Sequence, residues 1–197
     1  MADNEGLEKG LVVAGLDALR QVGGDALVQV ILSQAGETGL ADADSLEERI
    51  PIEQYLRYRD TVLDFLGDSF SGTAFETGRL LVRSLKHHKR GQIQALVAQF
   101  HQARSKLPVI GQAAVLAAKG NPGTVRAAMK GDELLVITIA DCPECRRLKR
   151  SAPFCYLNQG VITEFAEAHL GIGVTTQETR CMALGDKQCE IEVRLQS

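Results

Sequence analysis

An α+β fold, with helices first and an antiparallel sheet last, is predicted by three features of the sequence. Apolar residues recur at helical spacing through the first 120 positions, and the period turns to extended alternation after GlyAsnProGly at 120–123. From there, short Gly-containing turns join strand-like runs in pairs. Helices and strands segregated in this way favour an antiparallel sheet over an alternating parallel one.

The elements follow in order. Leu11, Val12, Leu16, Leu19 and Val22 form a first helical stripe, and GlyGly at 23 and 24 breaks it before Leu27, Val30 and Ile31 begin a second. Residues 36–50 are polar and acidic, an expected loop in which Ser45 and Glu48 are spaced as a capping box. Pro51 suits a first helical turn, and Tyr55, Tyr58, Val62, Phe65 and Leu66 share one face of the helix that follows. Gly67 ends it. Phe70, Ala74, Thr77, Leu81 and Leu85 mark the next helix, whose C-terminus suits the basic run LysHisHisLysArg at 86–90. Ile93, Leu96, Val97 and Phe100 give another stripe, and Pro108 opens an alanine-rich helix. Two strands then flank LysGlyAsp at 130–132. ProPheCysTyrLeu at 153–157 starts a helix with Val161, Ile162, Phe165 and Leu170 on its buried face, which GlyIleGly at 171–173 ends. A second hairpin turns at Gly185 and Asp186; Ile191, Val193 and Leu195 face inward from its final strand while Glu190, Glu192 and Arg194 face water. The sheet is thus four antiparallel strands, two hairpins with an intervening helix.

Composition narrows the class. The 22 basic and 25 acidic side chains leave a net charge of −3 over 197 residues, which does not describe a nucleic-acid surface. The acidic start MetAlaAspAsnGluGly lacks the marks of a signal peptide, and no apolar run has membrane-spanning length, so a cytoplasmic location is expected. All five cysteines fall between residues 142 and 189. In a reducing compartment an odd, clustered set reads as metal ligands or redox groups before disulfides.

Cys155, Glu178, Cys181 and Cys189 form a four-part liganding pattern, since thiolates and a carboxylate enclose zinc tetrahedrally and leave no open position for hydrolysis. Two other readings stand beside it. The CxxC pair Cys142 and Cys145 makes a zinc knuckle that combines with Cys181 and Cys189, or all five are buried, reduced thiols packed as small hydrophobes. A thioredoxin-type role for the CxxC would need a βαβ context that the chain does not supply.

Patterns for catalysis are sparse: no GxSxG, phosphate loop or HExxH occurs, and the GxG at 171–173 leads from helix to strand, the reverse of a dinucleotide motif. His87, His88 and His169 read as surface or capping residues; His101, after Phe100 on an amphipathic helix, is placed to reach an internal pocket. The runs at 86–90 and 146–150 read as solvated faces or as attractors for an anionic ligand. Tyr55, Tyr58, Phe65, Phe75, Phe100 and His101 would pack as core or line a small-molecule pocket, of which Tyr58, Phe100 and His101 are the chosen ligand contacts.

At CysProGluCys, ProPheCys and GluThrArgCysMetAlaLeuGlyAspLysGlnCysGluIleGluVal the chain resembles the 4-vinyl reductase domain family, which is related to aromatic-sensing regulator modules and TRAPP-type transport subunits. The resemblance spans roughly residues 50–195, so 1–50 is expected to be a helical arm and 51–197 a ligand-binding domain. It implies one zinc on Cys155, Glu178, Cys181 and Cys189, with Cys142 and Cys145 not ligating; Glu178 and Cys181 then require a bulge to reach one ion. It also implies a homodimer and a hydrophobic ligand held between helices and sheet. The chain is similar to stand-alone cyanobacterial members tied to chlorophyll handling and photosystem assembly, and peripheral association of this protein with a membrane complex is expected from that likeness. The resulting expectation is a zinc-stabilised accessory protein binding a tetrapyrrole, chlorophyll or its precursor. The alternatives are a reductase of a chlorophyll-precursor vinyl group fed by an external electron donor, and a TRAPP-like interaction scaffold.

Overall fold

The computed structural model describes residues 6–37, 39, 49–83, 106–118 and 123–196. Helix α1 (Lys9–Ala35) is two helices joined at Gly24, whose φ of 77° and ψ of 174° leave the helical region, a conformation glycine adopts without a Cβ penalty. Val12, Leu16 and Leu19 before the break, and Val28, Ile31 and Leu32 after it, are buried. Val22 and Val30, assigned to these stripes from sequence, are exposed instead. Two residues after Val28, Val30 sits about 200° around the helix and so on its opposite side.

Strands β1 (Gly6–Glu8) and β2 (Arg49–Pro51) pair antiparallel and bring the two ends of this first segment together. Neither was expected, because three residues carry no readable period. Pro51 ends β2 at φ −56° and ψ 141°, immediately before α2 (Ile52–Leu66) rather than within its first turn. On α2 Tyr55, Tyr58, Val62 and Leu63 are buried, whereas Phe65 falls beside that face and is 49% exposed.

Helix α3 occupies 70–83 of the described residues, with Phe70, Ala74, Thr77 and Leu81 buried as the spacing predicts. Helix α4 (Leu107–Ala118) lies on the sheet, where Gly111 allows it within reach of Ala127 and Leu135. The capping pair Ser45 and Glu48, Leu85, the basic run 86–90 with His87 and His88, the stripe at 93–100, and both Phe100 and His101 lie outside the described residues.

Strands β3 (Thr124–Lys130), β4 (Leu134–Ala140), β5 (Val174–Arg180) and β6 (Cys189–Leu195) form one antiparallel sheet in the order β3-β4-β6-β5. It is the four-stranded, two-hairpin sheet the sequence predicts. Opposed pairs Leu135 and Val193, Ile137 and Ile191, and Ile139 and Cys189 make one buried row across β4 and β6. Each such aliphatic side chain contributes about 1.5–3 kcal/mol on burial. Leu195 continues the row past the edge of the core and is exposed. Helix α5 (Tyr156–Phe165) runs into a π turn (Ala166–Leu170), closed by Gly171 at φ 63°. The core is continuous from α1 through α2 to the sheet.

Helices α3 and α5 cross at two glycines. A Cβ on Gly160 would stand 2.0 Å from the Phe75 carbonyl oxygen, and one on Gly78 would stand 2.2 Å from that of Leu157. Backbone cannot yield as a side chain can. Gly160→Ala is therefore expected to cost about 1–3 kcal/mol or more in chemical denaturation. Gly72→Ala, which meets nothing within 4 Å on the same α3, should be neutral or stabilise by up to about 1 kcal/mol.

Candidate metal centre

Four chain segments deliver the sulfurs. The first is the loop after β4, which turns at Asp141 (φ 54°), brings the Cys145 N–H to the Cys142 carbonyl at 3.1 Å, and leaves at Arg147 (φ 64°). Left-handed backbone at two non-glycine residues costs stability unless the surroundings impose it. Arg59 of α2 imposes it here. Its buried Nη1 donates to the carbonyls of Pro143 (2.9 Å), Glu144 (3.2 Å) and Arg146 (2.9 Å), and Asp60 takes Nε and Nη2 at 2.9 and 2.6 Å. The basic run beside it is largely used within the fold: Arg146 pairs with Asp141, Arg147 with Glu53, and Arg150 lies over the Phe154 ring.

The second segment enters α5 at Cys155. The Phe154 and Cys155 N–H groups donate to Glu178 Oε2 at 2.9 and 2.8 Å. Glu178 belongs to the third segment, the end of β5, where the ladder with β6 shifts register between Glu178 and Arg180, the bulge that a common site for Glu178 and Cys181 requires. The fourth begins β6 at Cys189. Between the last two, Asp186 accepts the Cys181 N–H at 2.8 Å and returns its own N–H to the Cys181 carbonyl at 3.2 Å. The Met182 N–H points at Cys189 Sγ, 3.3 Å away.

All five thiols and Glu178 converge. Cys145 Sγ lies 3.3 Å from Cys155, 3.5 Å from Cys181 and 3.6 Å from Cys189, and Cys142 lies 3.6 Å from Cys155. Every sulfur is buried and none is in a disulfide. Two quartets have donor atoms mutually within 4.8 Å: Cys142, Cys145, Cys155 and Cys189, and Cys145, Glu178, Cys181 and Cys189. The residues chosen from sequence are all in this knot, and so are Cys142 and Cys145. Glu178 Oε1 is buried without a hydrogen-bond partner, a cost of about 1–3 kcal/mol that a cation would remove. The donor set therefore fits a metal ion.

Without a metal the groups of the knot are driven in opposite directions. Burial pushes the Glu178 carboxyl up to about 8, against the opposing hydrogen bonds from Cys155. Cys145, through its bond to Cys142, and Cys155, also bonded to Cys142, are held as thiols. Cys142 is drawn toward thiolate by Cys145, and Cys181 is lowered to about 6, first by Cys155.

A cavity of about 250 Å³ adjoins the knot, lined by residues of α1, α2, α3, α4, α5 and the sheet. Tyr58, the expected contact, lines it, as do Tyr55, Arg59, Thr77 and Glu144. The buried Glu144 accepts a hydrogen bond from Tyr55, and burial raises its carboxyl above the ordinary range. Arg59 and Glu144 were missed from sequence. Their signals were a cation next to Tyr58 on an apolar helix face and an acid between two cysteines.

Residues 135–195 match the model of the 4-vinyl reductase domain, in agreement with the resemblance read from the sequence. The segment holds every donor of the knot. The uncharacterized protein MJ0745 of Methanocaldococcus jannaschii is 31% identical over 77 residues, 39% of this chain and 41% of that protein. The chain thus spans about two fifths of that relative's length. Solved structures share the fold across nearly the whole chain. An H-NOX protein from S. oneidensis in the Fe(II)NO state has a TM-score of 0.68 at 12% identity, covering 97% of this chain and 100% of that one. An Fe(II) unliganded H-NOX variant from K. algicida has 0.70 at 9%, covering 97% of each. A structure concerned with modulating heme redox potential through protein-induced porphyrin distortion has 0.65 at 12%, covering 97% and 96%. At these identities the likeness is one of fold. No described helix is long and apolar enough to cross a membrane.

Two outcomes follow from this geometry. Arg59→Met, which keeps the aliphatic stem but abandons three loop carbonyls, should destabilise by about 1–3 kcal/mol in urea unfolding and weaken metal retention. In metal-stripped protein Glu178 is protonated when folded to about pH 8 but ionises near 4.3 when unfolded. The unfolded state therefore binds fewer protons between those values, and stability should fall as pH rises through that window. Thermal melts of stripped Glu178→Gln should lack this part of the pH dependence.

Proposed function

We propose that this protein is a metal-stabilised carrier for a hydrophobic small molecule, a tetrapyrrole of the chlorophyll type, rather than a catalyst. The observation that carries the reading is the largely apolar cavity set against a buried cluster of potential metal donors. A closed thiolate site stabilises structure and leaves the cavity as the place for function. Zinc suits the donors, with Cys155, Glu178, Cys181 and Cys189 as the set the family resemblance implies.

A tetrapyrrole is supported by the shared fold of a protein whose heme potential is modulated by porphyrin distortion. The cavity's volume, about 250 Å³, is below the roughly 300–1,000 Å³ usual for ligand pockets. A macrocycle therefore enters with outward movement of the cavity helices, and the break at Gly24 gives α1 a joint for it. Tyr55, Tyr58, Arg59 and Glu144 offer polar handles at the sheet side. The proposal includes a homodimer formed through the helical half, where Val22, Val30 and Phe65 stand in solvent.

Protochlorophyllide titrated into the full chain should bind with a shifted absorption band. Ala74→Phe, filling the cavity from α3, should reduce that binding at least tenfold while zinc content by elemental analysis stays unchanged. Binding no tighter than to an unrelated protein of similar size would remove the tetrapyrrole from the proposal.

A further inference from the structure

The two donor quartets share two members, Cys145 and Cys189, and together they use six residues. Two tetrahedral ions need eight coordination positions, and two shared thiolates reduce that to six donors. The donors in the knot match this number: five cysteines and one glutamate.

We infer that the knot is a binuclear centre for thiophilic divalent ions. One ion is held by Cys142, Cys145, Cys155 and Cys189; the other is held by Cys145, Glu178, Cys181 and Cys189, with Cys145 and Cys189 bridging. This rests on the metal reading above, raises it from one ion to two and divides its set, with Cys155 on one ion and Glu178 and Cys181 on the other.

Three observations carry it. Cys145 Sγ is within 3.3–3.6 Å of Cys155, Cys181 and Cys189, so it stands in the midst of the cluster and not at its rim. With bonds of about 2.3 Å, the sulfurs of one tetrahedral zinc lie roughly 3.8 Å apart, a small expansion from these contacts. A cubane iron–sulfur cluster, with its own sulfides between the irons, would spread the cysteine sulfurs much further. Second, a single ion ligated by Cys155, Glu178, Cys181 and Cys189 leaves the Cys145 sulfur wedged against three of its ligands, whereas a bridging role gives that sulfur a bonding partner on each side. Third, Glu178, whose Oε1 is orphaned, groups with Cys181 and not with Cys142, so each quartet has donors of its own. Loading sends the thiol protons and the Glu178 carboxyl proton to solvent. Five thiolates and a carboxylate then face four positive charges, leaving a net charge of −2 for the centre.

Full-length protein, stripped under reducing conditions and reloaded with cadmium, tests the proposal by native mass spectrometry and cadmium NMR. Two cadmium ions per chain, giving two resonances coupled through shared sulfurs, are expected. Cys142→Ser should lower the stoichiometry from two to one. Saturation at one cadmium, unaffected by Cys142→Ser but abolished by Cys155→Ser, would overturn the binuclear centre and leave the single-ion reading intact. Two uncoupled resonances would overturn the bridge. Failure to retain any metal would overturn both readings.

Discussion

Burying five further potential metal donors around the Cys145 sulfur is the constraint on which the rest of this structure depends. A buried carboxyl oxygen without a partner and five clustered sulfurs have few favourable arrangements among themselves; a cation would resolve them together. Local irregularities of the chain then have a common origin. The register shift in β5 turns Glu178 and Cys181 toward one point. Left-handed Asp141 and Arg147 fold the CxxC loop back over the end of β4. Asp186 clamps the Cys181 backbone on both its N–H and its carbonyl.

The centre is not confined to the segment that supplies its ligands. Arg59 reaches from α2 to three carbonyls of the CxxC loop, and Tyr55, one turn earlier, bonds Glu144 between the two cysteines. Both contacts cross more than eighty residues of sequence. A helix that walls the cavity is therefore fastened to the metal loop by a buried guanidinium and a buried carboxyl. Such polar contacts in a low-dielectric interior are strong when satisfied and costly when broken.

How far the sequence discloses this fold depends on the range of each signal. Helix α3 and the two hairpins were legible because Phe70, Ala74, Thr77 and Leu81, or Ile191 and Val193, repeat a period over several turns or pleats. The break at Gly24 was legible because a double glycine interrupts the stripe. Val22, Val30 and Phe65 were misassigned to buried faces, since a stripe read as hydrophobic recurrence does not register how the helix is rotated against its neighbours. The cysteines were legible as a cluster, but their grouping was not: spacing along the chain cannot place Cys145 among Cys155, Cys181 and Cys189, because that depends on Arg59 folding the loop inward from α2.

Helix α5 joins the metal centre to the cavity. Cys155 stands at its entrance, within the knot; Leu157, Asn158, Val161 and Ile162 line the cavity; and Gly160 rests against the α3 backbone at Phe75. The family match begins in β4 and includes α5 but none of α1, α2, α3 or α4. The family pattern thus specifies the metal end and one cavity wall, and the remaining walls come from helices outside it. A glycine crossing permits no side-chain cushion between α3 and α5, so displacement of α3 by an occupant of the cavity bears directly on the α5 backbone. A metal ion on the knot would fix Cys155, at the entrance of α5, against that load. The knot and the cavity wall are in this way parts of one mechanical arrangement.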